Sequence, residues 1–207
     1  MTRTIWGRMN SINVQKVVWA AEELGLSYTR HDAGMAFGIV KTPDYLAMNP
    51  NGLVPVLDDD GVVLWESNAI VRYLAARYGE GTLWPRDPAL RARSDIWMDW
   101  QATTFYPAYA PAFSGLVRTA PDKRDPVAIE ASRAKTEPLL AMLDQHLATR
   151  DHLGGASFGI GDLALGPTVH RWLNMPIARE PRPNVEAWHQ RIIARPSAAC
   201  FRDLPVT

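Results

Sequence analysis

Residues 51–67, "NGLVPVLDDDGVVLWES", decide how this chain is read. Leu53, Val54, Val56 and Leu57 are good strand formers, yet Pro55 sits among them with no N–H to give a ladder. Asp59-Asp60-Gly61 is a hairpin signal, and "VVLW" is a second short strand. At Glu66-Ser67 the pattern changes from alternating to helical, and "NAIVRYLAARY" carries the helix to about Tyr78. A strand with a proline at its head, a tight hairpin and a helix opening on Glu-Ser together define one compact unit.

Upstream, "TIWG" is a strand candidate ending at Gly7. From Ser11, residues Val14, Val17, Val18, Ala21 and Leu24 recur at helical spacing, with Gly25 as the stop. "LSYTRHDA" reads as a second strand, and residues 34–38 as a loop. "KTPDYLAMN" is a short helix with Thr42 as N-cap and Pro43 at its first position. The order is β-α-β-α-β-β-α over residues 1–79, followed by a Gly/Pro-punctuated linker, 80–87. Beyond it strand signals nearly vanish, so residues 88–207 read as all-helical: a long helix bent or broken near Pro107 and Pro111, another from Asp125-Pro126 with a kink at Pro138, the apolar "GDLALGPTVHRWLN", and "NVEAWHQRIIAR" ending at Pro196.

The 207 residues suffice for two small domains with real cores. Lys plus Arg and Asp plus Glu number 22 each, so no global charge draws the molecule to nucleic acid or an anionic membrane. No segment approaches the ~20 apolar residues that span a bilayer, and the first twenty residues do not read as a secretion signal; the expected location is cytoplasmic. Eight tryptophans point to core and subunit contacts. A single cysteine, Cys200, excludes an internal disulfide and a Cys-x-x-Cys couple. His31, His146, His152, His170 and His189 lack ligand spacing, so no metal is expected.

"NPNGLVPVLDDDGVVLWESNAIVRYLAARYG" (49–79) resembles the soluble glutathione transferase family, and "ASFGIGDLAL" (156–165) resembles that family's capping segment in the helical domain. The resemblance covers essentially the whole chain. It implies a thioredoxin-like, glutathione-binding N-terminal domain followed by an all-helical domain that contributes the electrophile site. It also implies a cis Val54-Pro55 bond that leaves the Val54 N–H and C=O facing outward, where a tripeptide can pair as a short extra strand. Ser67, at a helix N-terminus, takes the γ-glutamyl α-carboxylate, and Glu66 offers a counter-charge to its ammonium. Lys41 is a candidate for the glycine carboxylate, with Asn51 as its polar neighbour.

The same resemblance places the cosubstrate's sulfur at the start of the first helix, where relatives use Tyr, Ser or Cys. Here Ser11 matches the serine of theta-like and zeta-like classes. A free thiol of pKa ~8.5 is mostly protonated at neutral pH, and a hydroxyl donor at a helix N-terminus favours the thiolate. Asn13 is the second candidate and Asn10 a third. The electrophile is expected between the domains, against Met9, Trp97, Phe105, Tyr106 and Tyr109, with Met35 and Phe37 as a lid. Asp99 or Gln101 is a candidate for reaching a partner subunit's γ-glutamyl amine.

The activity implied is attack of glutathione on hydrophobic electrophiles, a detoxifying transferase acting as a homodimer without a metal. Two alternatives stay open: glutathione-dependent disulfide reduction or peroxidase activity through Asn13, and a non-catalytic binding protein of the same fold. One departure from the family pattern is Gly159 in place of a capping hydroxyl residue, with Asp162 retained; glycine at an N-cap costs only a few tenths of a kcal/mol.

Overall fold

The computed structural model describes residues 2–207. The chain divides into two compact units, Met1–Trp84 with Ser197–Leu204, and Pro85–Pro196 with Pro205–Thr207.

The first unit follows the expected order: β1 (Arg3–Trp6), α1 (Ile12–Glu23), β2 (Thr29–His31), α2 (Pro43–Met48), β3 (Val56–Asp59), β4 (Val62–Trp65) and α3 (Ser67–Tyr78). The strands form one sheet in the order β2-β1-β3-β4, with β2 parallel to β1 and the other pairs antiparallel. Asp60 and Gly61 both have positive φ, 57° and 92°, as a two-residue hairpin turn of this hand requires. Pro55 lies just outside β3, so its missing N–H disturbs no ladder bond. Thr42 caps α2 by accepting from Tyr45 N–H at 3.4 Å. Residues 34–38, read as a loop, contain one 3-10 turn at Met35–Phe37.

Strand register brings Arg3 opposite Asp59, and the pair forms a 2.8 Å ion bridge in the core. The Tyr73 and Tyr78 hydroxyls of α3 donate to the other oxygen of Asp59 at 2.9 and 2.6 Å. Burial alone would raise this carboxyl, but Tyr78, Tyr73 and Arg3 together hold it below its ordinary value. Sheet and helix are thereby tied at one buried charge.

The sequence assigns 88–207 wholly to the helical part, whereas Ser197–Leu204 belong to the first unit. The reason is Trp19 on α1. Its ring packs 4.8 Å from Phe201 in the four-residue α9 (Ala199–Arg202), and its indole N–H donates to the Ser197 hydroxyl at 3.0 Å.

The second unit contains α4 (Pro88–Trp100), α5 (Tyr106–Phe113), α6 (Pro126–Leu147), α7 (Ile160–Leu173) and α8 (Pro183–Ile193). The break expected near Pro107 and Pro111 takes the form of two π-helical turns, 101–105 and 114–118, on either side of α5. Each proline withholds an N–H from the carbonyl one turn back, and a wider turn beside it accommodates the mismatch. α6 runs through Pro138 as one continuous helix. Asp162 is fully buried and, as expected, bonds the Gly159 N–H at 2.9 Å; its other oxygen takes Leu153 N–H and the Trp188 indole N–H at 3.1 and 2.7 Å. Gly161 lets α7 approach α4 closely, since a Cβ there would stand 2.8 Å from the Ser94 carbonyl oxygen. Among the described residues no helix is long and apolar enough to cross a membrane.

Candidate functional site

The chain from α2 to β3 is shaped by two side chains that sequence reasoning passed over. Asn49 Nδ2 and the Tyr45 hydroxyl both donate to the Leu53 carbonyl, at 2.8 and 2.9 Å, while Asn49 Oδ1 accepts from the N–H and the side-chain amide of Asn51. The "NPNG" composition carries a signal for such an Asx turn. Gly52 has φ +62°, and a Cβ on it would collide with the Val40 carbonyl and Lys41 Nζ. Lys41 Nζ in turn lies 3.4 Å from the Asn51 carbonyl, so these two candidates are brought together at an exposed corner.

With Leu53 so anchored, the chain passes through a cis Val54-Pro55 bond into β3. Among the described residues neither the N–H nor the C=O of Val54 has a hydrogen-bond partner. An extended edge with one free donor and one free acceptor is what main-chain pairing with a short peptide needs.

After β4 the chain turns into α3 through Glu66, whose φ of 69° is rare for a residue with a side chain. Glu66 is exposed and stands at the N-cap; Ser67 is the first helical residue and is buried. The first N–H groups of α3 have no intrahelical acceptors, which makes this end electropositive.

Ser11 occupies the N-cap of α1 with extended backbone, φ −96° and ψ 121°, and is 8% exposed. Its carbonyl accepts the first helical bond, from Gln15 N–H at 2.9 Å. Its hydroxyl makes no capping bond, in contrast to the side chains of Thr42, Asp87 and Asp125 at the starts of α2, α4 and α6. Asn13, two residues on, accepts at its Oδ1 from the Ser67 hydroxyl at 3.2 Å. The helix starts of α1 and α3 are therefore in direct contact through two of the candidates.

Lys16 joins them, and sequence reasoning missed it because Gln15-Lys16 reads as the solvated side of an amphipathic helix. In the structure α1 is buried along nearly its whole length and Lys16 is 2% exposed. Its Nζ reaches the Asn68 carboxamide oxygen at 3.3 Å. Burial pushes the Lys16 amine down to about 7, with Glu66 acting in the opposite direction.

The electrophile candidates separate by burial. Phe105 and Tyr109 are fully buried and stacked in the helical unit, and Trp97 packs on Trp100 and His146, so these are core positions. Gln101 is buried too, its Nε2 donating to Thr168 Oγ1 at 3.1 Å, which leaves Asp99 as the exposed member of that pair. Tyr106 is exposed in the helical unit. In the first unit Met35 and Phe37 are exposed, and Met9 is half-buried with its carbonyl held by Gln15 Nε2. Burial pushes the Cys200 thiol up to about 12, so it is a poor nucleophile.

A thioredoxin-like unit with unpartnered main-chain groups ahead of β3, an electropositive helix start and a second, helical unit fits the glutathione transferase class, and the chain belongs to the glutathione S-transferase family. The family's N-terminal domain profile matches residues 1–76 and its C-terminal domain profile residues 126–191. Within the family the chain is similar to glutathione S-transferase GstB of Escherichia coli, 47% identical over 99% of both chains. It is also similar to glutathione S-transferase 3 of Zea mays, 34% identical over 93% of this chain and 90% of that one. Among solved structures, the theta class glutathione S-transferase of Xanthomonas axonopodis pv. citri with glutathione bound matches with a TM-score of 0.96 and 46% identity, over 100% of this chain and 99% of that chain. The chain is a glutathione transferase.

Proposed function

We propose that the protein binds glutathione along Val54, with the γ-glutamyl group at Glu66-Ser67 and the sulfur at Ser11, and activates the thiol for attack on hydrophobic electrophiles. The observation that carries this reading is the pair of unpartnered main-chain groups on Val54, on the same unit as the α1 and α3 helix starts. The cysteinyl backbone pairs with Val54. On binding, the Ser67 hydroxyl turns from Asn13 Oδ1 to the α-carboxylate, which also takes the Ser67 N–H, and the α-ammonium sits on Glu66. Lys41 and Asn51 hold the glycine carboxylate.

The Ser11 hydroxyl, unused in capping, donates to the sulfur, and the α1 N-terminus adds its dipole. Lowering a thiol pKa by two units requires about 2.7 kcal/mol, within reach of one charge-assisted hydrogen bond plus a helix terminus. Ser11 stands at the N-cap itself with its hydroxyl unused in capping, which supports it ahead of Asn13 as the group at sulfur. The bound thiolate attacks the electrophilic carbon, the new C–S bond forms as the leaving group departs with the bonding pair, and the product is a thioether. Exposed Met35 and Phe37 supply apolar surface for an aryl or alkyl electrophile. Exposed Leu53, Val62, Val63 and Trp65 support a homodimer.

Calorimetric titration with glutathione tests the reading. Saturable heat is expected from the unmodified protein, with affinity reduced about tenfold or more in Ser67→Ala; no heat of binding from the unmodified protein would end it.

A further inference from the structure

The α1 helix presents Asn13 and Lys16 three residues apart, on one face and one turn. Both meet the opening turn of α3: Asn13 meets the Ser67 hydroxyl, and Lys16 the side chain of Asn68. Around Lys16 the helix is mostly apolar, with Val14, Val17, Val18, Trp19, Ala20 and Ala21 buried beside Gln15. A leucine or methionine would fill this position without taking an ammonium group out of water. A charge kept at such a place calls for a use, and what lies next to it is the seat of the γ-glutamyl carboxylate.

We propose that Lys16 is a positioning residue for glutathione: a buried cation, held by α1 against the first turn of α3, that stabilises the γ-glutamyl α-carboxylate through the Ser67-Asn68 segment. In the free protein Glu66 acts on Lys16 by its charge. In the complex Glu66 is engaged by the ligand's ammonium, and the ligand's carboxylate arrives at Ser67, one residue from the Lys16 contact. Charges then alternate across the seat, from Lys16 to the carboxylate and from the ammonium to Glu66. Water is excluded from the lysine side, so the attraction is screened far less than at a surface. Asn68 fixes where the ammonium group points, and Asn13 holds the Ser67 hydroxyl at the seat in the free protein.

This inference rests on the glutathione site proposed above, and the experiment separates the two. The probes are glutathione and its analogue in which the γ-glutamyl α-carboxylate is the primary amide, a neutral near-isostere. Affinities for both are measured by calorimetry on the unmodified protein and on Lys16→Met, with Lys16→Gln carrying the same readout if the methionine variant does not fold. The unmodified protein should prefer glutathione to the amide by tenfold or more, and the neutral variant should lose at least fivefold of that preference, mainly through weaker glutathione binding. A merely structural role would weaken both ligands together. An unchanged preference in the neutral variant overturns the role of Lys16 and leaves the glutathione site standing; failure of the unmodified protein to bind glutathione overturns the site and the inference with it.

Discussion

Two buried charges in the first unit stand in opposite conditions. Asp59 is fully enclosed and served by an arginine and two tyrosine hydroxyls, which hold its carboxyl below the ordinary value. Lys16 is as deeply enclosed, and burial drives its amine from 10.5 to about 7, with Glu66 acting in the opposite direction. The first charge is matched by the fold and ties sheet to helix. The second stands against the first turn of α3, beside the proposed seat of the ligand. A carboxylate matched by an arginine and two hydroxyls reads as architecture, and a buried lysine whose amine is pushed down beside a ligand seat reads as a candidate for function.

The difference can be broken at either end. Asp59→Ala strands Arg3 in the core and removes the acceptor of two tyrosines, so it should lower stability by about 3–5 kcal/mol, read from the urea midpoint. Lys16→Met should do the reverse and raise stability at pH 7 by on the order of a few kcal/mol. The sign follows from the depressed value: between about 7 and 10.5 the unfolded chain binds more protons at this lysine, so stability of the unmodified protein rises with pH across that window. The advantage of the methionine variant should therefore shrink toward pH 10. Equal midpoints at pH 7 would show that Lys16 is not held at a cost.

The helical unit supplies an intermediate case. His170 and His189 share a 3.0 Å hydrogen bond between α7 and α8, and burial lowers both, His189 to about 4 from 6.5. The stability they permit is complete above pH 6.5 and is lost as pH falls through about 4, because the unfolded chain takes up protons that the folded pair resists. The effect should approach ~3 kcal/mol for His189. His189→Phe should flatten that part of the stability-pH curve, provided the ring is accommodated, and a curve of unaltered slope would assign the acid loss to other groups.

At the smaller end, Gly7→Ala probes the packing of α1 on the sheet. A Cβ there would lie 2.3 Å from a Val14 methyl carbon, and either strand or helix must shift. A loss of about 1–3 kcal/mol is expected from the urea midpoint, while a neutral outcome would mean that the α1 start yields easily.

Much of the first unit is legible in residues. The Asp60-Gly61 turn, Pro55 just ahead of β3, the Thr42-Pro43 start of α2 and the Ser67 start of α3 each rest on local chemistry that hardly depends on the rest of the chain. What was illegible depends on tertiary packing. Lys16 looked solvated because periodicity shows which residues share a face but not whether a second face is covered. Asn49 and Tyr45 act on a carbonyl that only the folded loop brings to them. The last turn of chain returns to Trp19, a pairing across 178 residues that no local pattern records. Phe105 and Tyr109 carried the same aromatic signal as Tyr106, and burial alone separates them.

The central claim concerns sulfur. Ultraviolet titration of the thiolate of bound glutathione, in the unmodified protein and in Ser11→Ala, tests it most directly. If the Ser11 hydroxyl donates to sulfur at the α1 start, the bound thiol should ionise about two units below its free value of ~8.5 in the unmodified protein and return most of the way in the alanine variant. An ionisation that is unchanged by Ser11→Ala, with glutathione still bound, would contradict it.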